Sequence, residues 1–211
     1  MAAGDTDVKI CSHAMIMLGV DEISSFTDGT TRAGIAEALY PEIRDMVLTM
    51  YPWTFSLRKV DLQESATSPV NEFDKAYTMP SDSLNGLPRA VYFSSGSGVA
   101  AQTDGWRLVG NDIQTNSTVV TIDYQVRPLE AEMPTYFVQL LKTFCAWYFA
   151  EPMTDQITKA QHWERIAIGN PSEGGRGGYF RQAAVADGFG KPTGFIADYP
   201  LIDARQTFPN V

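Results

Sequence analysis

The sequence predicts an α+β fold: a helical bundle with an inserted antiparallel β domain and an extended C-terminal arm. Three observations predict it. Apolar residues recur at three- and four-residue spacing up to residue 54 and again over 131–168. Between them, over 55–130, the period falls to two. From residue 169 to 211 neither period holds and glycine crowds the chain.

The elements follow in order. Val8, Cys11, Met15 and Leu18 share one helical face, with Asp5 or Thr6 as the cap and Gly19 as the stop. Val20–Thr30 reads as loop, with a turn at Asp28-Gly29. Ala36, Leu39, Ile43, Val47 and Met50 make a second stripe that ends before Pro52. Pro41 lies inside that stripe, where a missing N–H and a clash with the preceding turn predict a kink or a restart.

Strands are expected at Phe55–Leu62, Phe73–Met79 and Ala90–Phe93. Trp106–Val109 and Asp112–Thr115 predict a hairpin across Gly110-Asn111. The cleanest alternation puts Val120, Ile122, Tyr124 and Val126 inward, with Thr121, Asp123 and Gln125 outward. Pro134 then opens a helix whose apolar face, Phe137, Leu140, Leu141, Phe144, Cys145 and Tyr148, is broad enough to be covered on more than one side. Pro152 is expected to break it, and Thr154 to cap a fourth helix carrying Ile157, Ala160, Trp163 and Ala167.

The arm, 169–211, mixes eight early glycines with large apolar residues. Glycine makes a free-standing element costly there. Tyr179, Phe180, Phe189, Phe195, Tyr199, Leu201 and Phe208 are more than a disordered linker carries, so they are expected to anchor the arm on a partner.

At 44% hydrophobic and 19% charged, the chain can build a sizeable core, and its charged fraction lies below the usual quarter or so. That deficit suits a surface partly covered by partners. The net charge is −9, and because the arm has four acids and four bases, residues 1–168 carry all of it. A protein that grips DNA over its surface would be basic instead. No apolar run reaches the ~18 residues of a membrane span. MAAGDTDVKI has neither the basic start nor the apolar stretch of a signal peptide, which predicts a cytoplasmic product. Cys11 and Cys145 sit in apolar helical patterns and read as buried small hydrophobes.

Chemical motifs are weak. Gly96-Ser-Gly98-Val-Ala-Ala101 matches a dinucleotide loop in form, but Asp104-Gly105 brings another turn where a helix should start. His13 and His162 stand far apart, and Cys11 and His13 face different sides of one helix, so no zinc set forms. Ser12-His13 has no nucleophile elbow. Glu37, Glu42 and Asp45 could in form supply a glycosidase pair, but with Arg44 among them they read as a charged face. Arg44, Arg58 and Lys59 are too few for a nucleic-acid groove. Trp53, after Pro52, reads as a core plug and not a binding platform, with Phe55 beside it. No catalytic residue, metal or cofactor is expected.

Four segments in order do carry a resemblance. YPEIRDMVLTMYPWTFSLRKVDL (Tyr40–Leu62) runs a helix through Pro52-Trp53-Thr54-Phe55 into a strand, and FDKAYTMPSD (Phe73–Asp82) closes a second strand. GNDIQTN (Gly110–Asn116) and MPTYFVQLLKTFCAWYFA (Met133–Ala150) follow. Over residues 8 to 155 the chain resembles the adaptor, or head–tail connector, proteins of tailed bacteriophages, the tail tubular protein A-like family. That resemblance implies a structural virion protein, not an enzyme, made in the host cytoplasm and placed at the head–tail junction. It implies a homo-oligomeric ring of twelve that joins the portal protein to a tail tube or nozzle protein and lets DNA pass without specific binding. No membrane is involved. Pro41 and the arm depart from the family pattern. The alternative from another class is a virion-associated peptidoglycan hydrolase acting during DNA entry.

Overall fold

The computed structural model describes residues 6–94 and 101–190. Among them, five α-helices and two small antiparallel sheets form an α+β fold. The helices are α1 (Asp7–Leu18), α2 (Thr31–Thr49), α3 (Thr135–Thr154), α4 (Ile157–Ile168) and α5 (Gly178–Gly188). The strands are β1 (Leu57–Asp61), β2 (Lys75–Thr78), β3 (Ser83–Tyr92), β4 (Trp106–Val109), β5 (Asp112–Thr115) and β6 (Thr121–Val126).

Local chemistry sets the helix ends. Thr6 Oγ1 accepts the Lys9 amide at the start of α1, and Gly19 takes the left-handed conformation (φ 75°) that ends it. Thr30 caps α2 in the same way through the Ala33 amide. Helices α1, α2, α4 and α5 all pack against α3. This hub position explains the broad apolar face of α3, whose Phe137, Leu140, Leu141, Phe144, Cys145 and Phe149 are all buried.

Neither proline ends its helix. Helix α2 runs unbroken from Thr31 to Thr49 with Pro41 inside it. Pro41 and Glu37 both lie on the exposed face, so the Glu37 carbonyl left without its helical donor meets water and the helix tolerates the loss. Helix α3 likewise continues through Pro152 to Thr154 and stops at Asp155 in the left-handed region. Thr154 is therefore not the cap of α4. Its Oγ1 donates back to the Ala150 carbonyl, and Gln156 stands at the α4 N-terminus.

The six strands form two three-stranded sheets, ordered β1-β6-β3 and β2-β5-β4. Strand β6 is central in the first, pairing Val60 with Ile122 on one side and Val91 with Ile122 on the other. Pro88 sits in the edge strand β3, where the absent N–H breaks no inner ladder. The β4–β5 hairpin turns at Gly110-Asn111, with Gly110 at φ 62° as a tight two-residue turn needs. The sheets share a core of Tyr77, Met79, Val91, Ile113, Val120, Ile122, Tyr124 and Val126. The helices bury a separate core, which takes in Trp53.

The described part of the arm requires a correction. Residues 171–188 are not extended: a 3-10 turn at Pro171–Glu173 leads into α5, which packs on α3 and α4. Ala183-Ala184-Val185-Ala186 favours helix despite the flanking glycines, and Phe180 and Ala183 join the bundle core. Residues 191–211 lie outside the described residues.

Candidate functional site

Two of the segments that carry the resemblance, Tyr40–Leu62 and Met133–Ala150, meet where the bundle joins the first sheet. Trp53 is fully buried there, and its Nε1 donates to the Val47 carbonyl at 3.0 Å. Its ring lies 4.9 Å from Tyr51, 5.1 Å from Phe137 and 6.1 Å from Phe180, all edge-on. Phe55, half-buried, stacks edge-on to Phe137 at 4.9 Å, and Pro52 is half-exposed at the rim. The aromatic plug thus ties the exit of α2 to α3 and α5.

A glutamine clamps the other side. Gln125 is buried, not outward as alternation predicts, because β6 is the central strand and its outer face lies against the end of α2. Its Nε2 donates to the Leu48 carbonyl at 2.7 Å, the Tyr51 carbonyl at 3.0 Å and Ser56 Oγ at 3.0 Å. Leu48 lies in the last turn of α2, where carbonyls lack helical partners, so the side chain caps the helix from the sheet. Ser56 Oγ in turn donates to the Trp53 carbonyl at 2.9 Å, linking plug and clamp.

Two charged clusters brace the joint. Arg44 donates to Glu130 at 2.8 Å and to Asp45 at 3.2 Å, and Tyr40 OH also reaches Glu130. Arg127, just past β6, grips both oxygens of Asp45. Burial pushes the Asp45 carboxyl up, but hydrogen bonds from Arg127 and Arg44 outweigh it and hold the group below the usual carboxylate range. On the α5 side, buried Asp187 accepts the Thr54 amide at 3.1 Å, Thr54 Oγ1 at 2.7 Å and Tyr136 OH at 2.8 Å. Burial, and then the Asp187 bond, push the Tyr136 phenol well above its ordinary value, keeping it a donor.

The other two strand motifs also resolve into internal contacts. Tyr77 OH donates to the Ser117 carbonyl, Asp82 accepts Tyr124 OH, and Asn116 accepts the Asp74 amide. No family model matches this chain, and no curated protein matches it either.

The predicted site residues separate into three sets. Trp53, Phe55 and Pro52 come together at the joint. Among the expected anchors, Phe180 is buried in the chain's own core against Trp53 and is not available to a partner. Tyr179 is half-buried in a groove lined by His13, Ile16, Met17 and Trp163, while Phe189 is 84% exposed. Phe195, Tyr199, Leu201 and Phe208 lie outside the described residues, as does most of the Gly96–Ala101 loop. Cys11 and Cys145 are both fully buried, and burial with the neighbouring Cys11 thiol pushes the Cys145 thiol up. Glu37 and Glu42 are exposed on α2. No described group of three or more histidines, cysteines and carboxylates could hold a metal ion, and no described helix is long and apolar enough to cross a membrane.

Proposed function

We propose that this chain is a structural virion protein: a ring-forming adaptor that joins the portal to the tail and forms part of the DNA ejection channel. The observation that carries this reading is the joint. The first and last motifs of the resemblance, Tyr40–Leu62 and Met133–Ala150, converge there, on a plug, a clamp and a brace that fix a sheet unit rigidly to a helical bundle. A connector needs such stiffness, because it must hold two partners in one orientation. Ring subunits also need different surfaces to meet head to tail. Ile16, Tyr148, Ile157, Val185 and Phe189 are large apolar residues left exposed on the helices and the end of α5. An acidic chain lining a channel would repel the DNA backbone and keep it sliding.

In this reading the subunit works as a homo-oligomer of twelve at the head–tail junction, with no catalytic step and no cofactor. The hydrolase alternative draws least on the joint, since the Asp45 carboxylate is already held by two arginines. Co-expression with the portal protein of the same virus tests the proposal. Native mass spectrometry should count twelve copies on a portal ring, and electron microscopy should show them as one added tier. A chain that ignores portal rings, or clears purified peptidoglycan until one carboxylate is changed, would overturn it.

A further inference from the structure

One groove at the joint is unlike the rest of this acidic surface. It is open, about 660 Å³, and lined by Met50, Pro52, Phe180 and Val185 together with Arg89, Arg176 and Arg181. The arginines come from separate places: Arg89 from β3, Arg176 from the loop before α5, and Arg181 from α5 itself. Arg32, Arg44, Arg58, Arg107 and Arg127 each meet a carboxylate. Among the described residues, Arg89, Arg165, Arg176 and Arg181 meet none, and three of these four line the groove.

Arg89 also sits in a break of register. Pro88 pairs with Tyr124 and Ala90 with Asp123, so Arg89 is the extra residue of a bulge. Bulges re-aim side chains at sheet edges, and here the re-aimed side chain lines the groove. Three cations with no carboxylate partner among the described residues, around an apolar floor in a chain of net charge −9, suit an extended segment with carboxylates among large apolar residues. A nucleic-acid backbone would leave the apolar floor unused and would be repelled by the remaining surface.

The chain itself contains such a segment. Residues 192–204 carry Asp198 and Asp203 and no base, interleaved with Phe195, Ile196, Tyr199, Leu201 and Ile202. Asp198 lies eight positions beyond Gly190, the last described residue of the arm, a reach of about 26–29 Å if extended. Resting on the ring reading above, we propose that the Arg89–Arg176–Arg181 groove receives residues 192–204 of a second copy of this chain. Asp198 and Asp203 pair with the arginines, and the apolar side chains cover Met50, Pro52 and Val185. Each subunit then gives a segment on one side and takes one on the other, as a head-to-tail ring requires.

The probe is a dye-labelled peptide of residues 192–204, titrated by anisotropy into the full chain carrying Asp198→Lys and Asp203→Lys, whose own segment cannot compete. Binding should saturate and weaken at least tenfold when Arg176→Glu and Arg181→Glu are added, and a chain with Arg176→Glu and Arg181→Glu but its own Asp198 and Asp203 should bind instead the peptide that carries the two lysines. In sedimentation, the unmodified chain should gain mass with concentration, whereas the Asp198→Lys, Asp203→Lys chain should stay monomeric. Absent binding, or binding indifferent to the charge reversal, overturns the groove assignment. Peptide binding alongside an unmodified chain that stays monomeric at every concentration assigns the segment to its own groove and overturns the claim of a second copy. Portal-bound rings of twelve with no peptide binding would sink this inference while leaving the ring reading intact.

Discussion

The Asp187 carboxylate, near the end of α5, accepts both the backbone amide and the hydroxyl of Thr54, 133 positions earlier in the chain. Helix α5 is therefore part of the joint, not an appendage. Truncation after Asn170 removes Phe180, Ala183 and Asp187 together and opens Trp53 to water. Loss of the Phe180 side chain alone forfeits roughly 1.5–3 kcal/mol of burial. Urea melts should show that truncated chain several kcal/mol less stable, while truncation after Gly190 leaves the midpoint near that of the full chain.

Trp53→Ala should destabilise by about 3–5 kcal/mol, through lost transfer energy and the cavity left among Tyr51, Phe137 and Phe180. Phe55→Ala should lose less, since Phe55 is only half-buried. Equal losses in denaturant melts would contradict the plug.

Gln125→Leu keeps the bulk but removes the donor from the Leu48 and Tyr51 carbonyls. Buried acceptors without partners cost about 1–3 kcal/mol. Amide exchange should report where: protection should fall first in the last turn of α2 and in β6. A variant as stable as the parent would show that the clamp contributes nothing.

Asp45→Asn tests the brace through pH. The folded-state carboxyl of Asp45 lies below its ordinary value, so its contribution is present above the unfolded carboxylate range and is lost as pH falls through the depressed folded value. At pH 7 the variant should be about 1 kcal/mol less stable, a modest figure because the group is partly open to solvent. The gap should narrow as pH drops below ~4 and close at lower pH. A gap that stays constant from pH 7 to pH 2 would mean that the Asp45 charge is irrelevant.

Periodicity exposed the first four helices and most strands, because each presents one apolar face to one core. It placed Gln125 wrongly, because a central strand covered on both faces hides its second environment from a period-two pattern. Trp53 was legible as a plug from its place between a helix exit and a strand. Asp187 was not, since nothing local marks an acid whose partners lie at Thr54 and Tyr136. The Ala183–Ala186 run was the one available sign of α5, masked by the glycines around it.

The sheets and the helices bury separate cores, and few side chains belong to the boundary. Substitutions among Tyr77, Ile113 and Ile122 therefore need no answering change among Leu140, Phe144 and Phe149. The sheet unit can drift, lengthen its loops or be exchanged for another as a cassette, provided that Gln125 still reaches the end of α2 and Arg127 still reaches Asp45. Variation in one half is insulated from the other by a seam only a few residues wide.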